Sequence, residues 1–165
     1  MKSQTILRRQ TEMNEISISY SRPNFDSMPA INSSVDAYNV IKIIYQGVGI
    51  DYQEYFWCIY LTNANRVLGY CEIGKGDQTG TIVNVPQIFA IALKVSAKAI
   101  ILVHNHPSGK LKASKQDKRL VKRIEDIGKL FLISVLDSVI VTSESYLSFA
   151  DEGMMNFARK NQIPF

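Results

Sequence analysis

Ala99-Ile100-Ile101-Leu102-Val103-His104-Asn105-His106-Pro107-Ser108-Gly109 is the stretch from which the rest of this chain is read. Five consecutive apolar residues read as a buried strand, and Pro107 and Gly109 end it. Side chains alternate faces along a strand. Extended geometry through residue 106 would therefore send both imidazoles to one side, where each offers a metal one neutral nitrogen. They are the only two histidines among 165 residues. A turn with two solvated histidines fits the same letters, because ring nitrogens are ordinary hydrogen-bond partners. A third ligand has to separate the two readings.

Downstream, residues 115–129 have helical spacing. With about 100° per residue and Asp117 at zero, Leu120, Val121, Ile124 and Ile127 cluster within roughly 80° of it. Lys115, Lys118, Arg119, Lys122 and Arg123 take the opposite side. Asp117 thus lies on the apolar stripe, where a carboxylate is costly to bury unless paired, and a metal ion is one partner that compensates. Ser114-Lys115-Gln116-Asp117 also fits a capping box, in which both side chains satisfy backbone donors. The helix alone leaves both roles open.

Upstream, Pro86 opens a helix through Ile88, Ala92 and Val95. Glu54–Leu61 and Arg66–Ile73 read as two strands of a hairpin around Asn63-Ala64-Asn65, and Ser33 or Ser34 caps a helix through Ala37, Val40, Ile41 and Ile44. The glycine-rich stretch Gly74–Gly80 lacks the ending of a phosphate-binding P-loop and reads as a plain loop. Glu15-Ile16-Ser17-Ile18-Ser19-Tyr20 has strand periodicity, so residues 1–33 are expected to form an arm or edge strand. Phe131–Val141 is predicted as a strand after the long helix. Residues 154–165 are expected to be a tail.

With 46% hydrophobic and 21% charged residues, the chain can bury one core and is expected to form a single domain. No apolar run spans a bilayer, and the N-terminus lacks a secretory apolar region, so a cytoplasmic protein without membrane contact is expected. Cys58 and Cys71 match no metal or redox spacing and read as small buried hydrophobes. The net charge of +4 arises from 19 basic and 15 acidic residues, a balance that permits nucleic-acid contact without arguing for it.

The combination of His104-x-His106, Ser114 and Asp117 resembles the metal motif of the JAMM (JAB/MPN) metalloprotease superfamily. The longer string His104-Asn105-His106-Pro107-Ser108-Gly109 resembles its bacterial RadC-like branch. Asn63–Leu68 is similar to the first hairpin of that family, Ser96–Leu102 to its approach strand and Tyr146–Gly153 to its closing segment. The resemblance covers about residues 34–153. It implies an α/β fold, a three-layer α/β/α domain with a central mixed sheet, JAB/MPN-like and cytidine-deaminase-like. It also implies one zinc ion held by His104, His106 and Asp117, with an open fourth position for water, the catalytic form of zinc. Glu54 matches the position of the family's catalytic base, whereas the rival Glu72 lies at the end of the second hairpin strand. Ser114 would donate to the developing oxyanion.

Three segments depart from the family pattern: Ala113-Ser114 stands for its Pro-Ser, Val85-Pro86-Gln87 for its Pro-Arg-Glu, and Asp137-Ser138 for its Asp-His. Full-length RadC-like proteins carry a helix-hairpin-helix segment ahead of the domain, for which residues 1–33 leave no room. The expected function is a zinc-dependent hydrolase cleaving a peptide, isopeptide or related amide. The alternative is a DNA-repair-associated or nucleic-acid-associated metal-binding module that uses Lys110, Lys112 and the basic face of residues 115–129. The expected partners are an amide-bearing protein substrate, weak nucleic-acid contact and self-association. The letters His-Asn-His do not indicate an HNH nuclease, whose residues are dispersed along a different fold. An iron facial triad usually has His-x-Asp/Glu with a distant His.

Overall fold

The computed structural model describes residues 19–76 and 82–155. Residues 15–18 of the predicted N-terminal strand, residues 77–81 of the glycine-rich loop and residues 156–165 of the predicted tail lie outside them. The described elements are α1 (Ser34–Ile44), β1 (Tyr55–Leu61), β2 (Val67–Lys75), α2 (Val85–Lys94), β3 (Ala99–Asn105), α3 (Lys115–Phe131), β4 (Ser134–Val141) and β5 (Tyr146–Ser148), preceded by a short 3-10 turn at Phe25–Ser27.

The five strands form one sheet in the order β2-β1-β3-β4-β5. It is mixed, because β3 pairs antiparallel with β1 and parallel with β4. A parallel neighbour demands a crossover, and α3 supplies it. Every residue of β1 and β3 is buried, as expected for inner strands covered on both faces. On one face Trp57, Ile59, Leu61, Ile101 and Val103 pack with Ala37, Ile41 and Ile44 of α1. On the other, Phe56, Cys58, Tyr60, Ile100 and Leu102 pack with Ile88, Phe89 and Ala92 of α2 and Val121 and Ile124 of α3. This is the three-layer α/β/α arrangement with a mixed central sheet.

The helix starts follow their capping residues. Ser33 accepts from the Asp36 amide, and Asn84 from the Gln87 amide one residue ahead of α2. Cys58 and Cys71 face each other across β1 and β2. Burial pushes both thiols up, although only Cys58 is fully buried and Cys71 is half-buried, against the expectation of two buried thiols. The N-terminal segment reaches β2 through the Tyr20 hydroxyl, which donates to the Leu68 carbonyl at 2.8 Å, and through an Ala30–Arg66 bridge.

Two predicted boundaries need correction. The first hairpin strand begins at Tyr55, leaving Glu54 in the loop before it. The strand predicted from Phe131 begins at Ser134, because α3 runs on through Phe131. Leu132 then takes a left-handed φ of 55°, and the Ile133 amide returns to the Gly128 carbonyl at 2.9 Å, the closure of a Schellman cap. A Cβ on Gly128 would lie 2.5 Å from the Ile133 oxygen, so this return needs glycine there. The apolar run Leu130–Ile133 has no periodicity that marks where the helix stops.

Candidate metal centre

The site lies where the chain leaves β3 for α3, beyond the carboxyl ends of the parallel pair, where open α/β sheets bind ligands. His104 is in β3. His106, one residue past its end, still behaves as strand, because its amide donates to the Val141 carbonyl at 3.0 Å. The extended geometry therefore holds through residue 106. The Gly109 amide then closes a turn onto the His106 carbonyl at 2.9 Å, with Pro107 presetting its first corner and Gly109 taking a φ of 74°.

That turn settles the tautomer of His106. Its Nδ1 lies 2.8 Å from the Lys110 carbonyl oxygen, which can only accept. In the neutral ring Nδ1 then carries the proton, which leaves Nε2 as the acceptor. His104 stacks beside Phe56 at 6.0 Å between ring centroids. Its Nδ1 is buried without a hydrogen-bond partner among the described residues. The two Nε2 atoms stand 3.2 Å apart, and such a pair needs a proton or a cation between its lone pairs.

Asp117 offers a third donor beside them. One carboxylate oxygen is 3.4 Å from His104 Nε2, and the other is 3.8 Å from His106 Nε2. The capping box is equally present. The Ser114 amide donates to Asp117 Oδ2 at 2.7 Å, and the Asp117 amide donates to Ser114 Oγ at 3.0 Å. Cap and ligand candidate are thus one residue using two oxygens. Burial raises the pKa of Asp117. The hydrogen bond and charge of His104, with the Ser114 hydroxyl and amide, outweigh that and hold the carboxyl well below its ordinary range.

The residues fit a metal ion. One ligand atom from each of His104, His106 and Asp117 lies within 4.8 Å of the others. A tetrahedral ion with bonds of about 2.0–2.1 Å holds its ligand atoms about 3.3 Å apart; the separations here are 3.2 Å between the imidazoles, 3.4 Å from His104 to one carboxylate oxygen and 3.8 Å from His106 to the other.

A cleft of about 860 Å³ opens over the cluster. Glu54 and Ser114 line it together with the two histidines and Asp117, so all five predicted site residues meet in one cavity. Phe56, Val83, Leu120 and Val121 give it an apolar wall, and Lys110 and Lys112 form a basic lip. The rival Glu72 is exposed on β2 and is not among the lining residues. The sequence reading passed over Asn105. An asparagine between two same-side strand residues must point the other way into the core, and buried polar side chains are hydrogen-bonded. That parity was the available signal.

A mixed five-stranded sheet with a helical crossover and a His-x-His/Asp cluster at its carboxyl end defines an α/β domain of the JAB/MPN class. The RadC-like JAB domain family matches residues 31–154, and the chain belongs to that family. It is 40% identical over 124 residues to a UPF0758 protein of Flavobacterium johnsoniae, covering 75% of this chain and 53% of the relative. It is 42% identical over 103 residues to one of Geotalea uraniireducens, covering 62% and 45%. A third, from Listeria welshimeri, is 32% identical over 115 residues, covering 70% and 51%. The matched region thus spans about half the length of these relatives.

Proposed function

We propose that this domain is a zinc-dependent hydrolase of a peptide, isopeptide or related amide bond. His104, His106 and Asp117 would hold the ion. Two imidazoles and one carboxylate form a donor set of catalytic zinc sites, and the gathering of one ligand atom from each within 4.8 Å of the others is the observation that carries the reading. When bound, zinc makes water a nucleophile near neutral pH and polarises a carbonyl.

The chain's own residues supply the rest. Glu54, on the wall of the same cleft, takes a proton from the attacking water and passes it to the leaving amine. Ser114 Oγ already accepts from the Asp117 amide, so its own hydrogen is left to donate to the carbonyl oxygen as charge develops there. His106 is held in the zinc-ready tautomer by the Lys110 carbonyl. The apolar wall receives the body of the substrate and excludes water from the reacting carbonyl.

Metal content by mass spectrometry tests the first half of this reading. Purified protein should take up one zinc per chain, and His106→Ala should lose it. A chain that takes up no zinc overturns the proposal. Incubation of the zinc-loaded chain with a pool of fluorogenic peptides and lysine isopeptides tests the second half. Glu54→Gln should keep the zinc and lose turnover.

A nucleic-acid-associated module is the second reading. It is favoured by Lys110 and Lys112 lining the cleft beside the exposed Lys115, Lys118 and Arg119. Lys122 is paired with Asp126 at 3.2 Å, which reduces the charge available on that face. DNA binding that weakens steeply with salt would support this module, and undetectable binding would remove it.

A further inference from the structure

We propose that Asn105 is a positioning residue that holds Glu54 in register with the two histidines; this rests on the reading of Glu54 as the base. His104 and His106 project toward the cleft, while Asn105 between them is fully buried on the other face of β3. Its amide has no unused hydrogen. Oδ1 accepts from the Tyr55 amide at 2.7 Å, and Nδ2 donates to the Ile50 carbonyl at 2.6 Å and the Gln53 carbonyl at 2.8 Å. Those partners fix the orientation of the amide, since carbonyls only accept and a backbone N–H only donates.

Two of these bonds fall on either side of Glu54. A residue has two soft dihedrals between rigid peptide planes. The Gln53 carbonyl belongs to the plane before Glu54 and the Tyr55 amide to the plane after it, so holding both fixes the direction in which the Glu54 side chain leaves the backbone. The Glu54 carbonyl is held as well, accepting from the Gly76 amide at 2.9 Å. Backbone pairing of β1 with β3 ends at Phe56 and His104, and the Asn105 side chain extends that pairing to the loop beyond. This loop contains Gly47 and Gly49, and Gly47 has a φ of 78°. The tripeptide 104–106 thus presents two metal donors on one face and anchors the base from the other. Aspartate at 105 would turn an acceptor toward two carbonyls, and serine would be too short to reach all three partners.

The test uses the zinc-loaded chain and acetohydroxamic acid as probe. On binding as its anion, this acid gives up its O–H proton to a neighbouring base, here Glu54. Probe affinity by calorimetry and zinc affinity by chelator competition are compared for wild type, Glu54→Gln, Asn105→Asp, Asn105→Ser and the core control Val139→Ala. Asn105→Asp is expected to keep its zinc affinity within about threefold and to lose probe affinity by about 10–100-fold, the usual effect of removing an outer support. Asn105→Ser supplies the same reading if the aspartate variant does not fold. Hydrogen exchange over residues 50–55 should accelerate in both, while Val139→Ala keeps probe affinity.

If Glu54→Gln weakens the probe and neither Asn105 variant does, the positioning inference alone is overturned. Equal loss in Val139→Ala also overturns it, as a general stability effect. If wild type does not bind the probe, or Glu54→Gln binds it as well as wild type, the base reading fails and takes the inference with it.

Discussion

Asp117 and Asp137 are both withdrawn from solvent, both accept backbone amides and both have a serine alongside, yet they end in opposite states. The Asp117 carboxylate lies beside two imidazoles under an open cleft, and His104 with Ser114 holds its pKa down against the effect of burial. Asp137 in β4 has no salt bridge to a cation among the described residues. Its oxygens accept from the Ser148 hydroxyl at 2.6 Å, the Ser138 amide at 2.7 Å and the Ala150 amide at 2.9 Å. Burial pushes its pKa up despite those donors. One carboxylate is set to meet positive charge, and the other ties the segment after β5 to the sheet. Burial of an acid alone therefore does not distinguish the two; the groups that face it do.

The largest effect should come from removing the charge of the first carboxylate alone. Asp117→Asn keeps an oxygen for the Ser114 amide, so α3 should start normally. Zinc affinity should fall by about 10³-fold or more, beyond the 10–100-fold of an outer-shell change, as measured by chelator competition. Asp137→Ala should do the reverse. Zinc affinity should be unchanged, while the stranded Ser148, Ser138 and Ala150 donors cost about 3 kcal/mol in denaturant unfolding. Equal zinc loss in the two variants would break the contrast.

Ser114→Ala should lower stability by about 1 kcal/mol through the lost cap and slow amide hydrolysis by about 10²-fold through the lost donor. A stability loss with full turnover would confine Ser114 to capping.

The smallest effect concerns pH. The folded pKa of Asp137 lies above its unfolded value, so the ionised group opposes folding at neutral pH, and that opposition fades as pH falls through the raised pKa. Asp137→Asn should therefore be as stable as wild type or slightly more so at pH 7. Its advantage should vanish on acidification toward the ordinary carboxylate range. The metal-free Asp117 contribution runs the other way. It is present above the ordinary carboxylate pKa and is lost as pH falls toward the lowered one. Thermal melts of both asparagine variants from neutral pH down to about pH 2 would test the opposed slopes.

The central strand and its histidines were legible because a continuous apolar run followed by proline and glycine leaves few alternatives. The stripe position of Asp117 was equally visible, since Val121 and Ile124 are buried beside it in the core. That the cap leaves one carboxylate oxygen facing the histidines was not visible, because a one-letter pattern does not show how two oxygens are shared. The role of Asn105 depends on a loop fifty residues earlier in the chain, a separation that local patterning does not read. The C-terminus of α3 was misplaced for another reason: a leucine takes the left-handed position where a glycine would have marked the stop.

The shared cap at Asp117 bears on how an ion bound there would come and go. The carboxylate is tied down by the first turn of α3 and one imidazole by a backbone carbonyl, so much of the chelating frame is stiffened by bonds of the chain itself. Metal exchange should then resemble loading a rigid macrocycle more than folding a zinc finger. A chelator should strip the ion at a rate set by bond breaking at the mouth of the cleft, leaving amide protection in β3 and β4 intact.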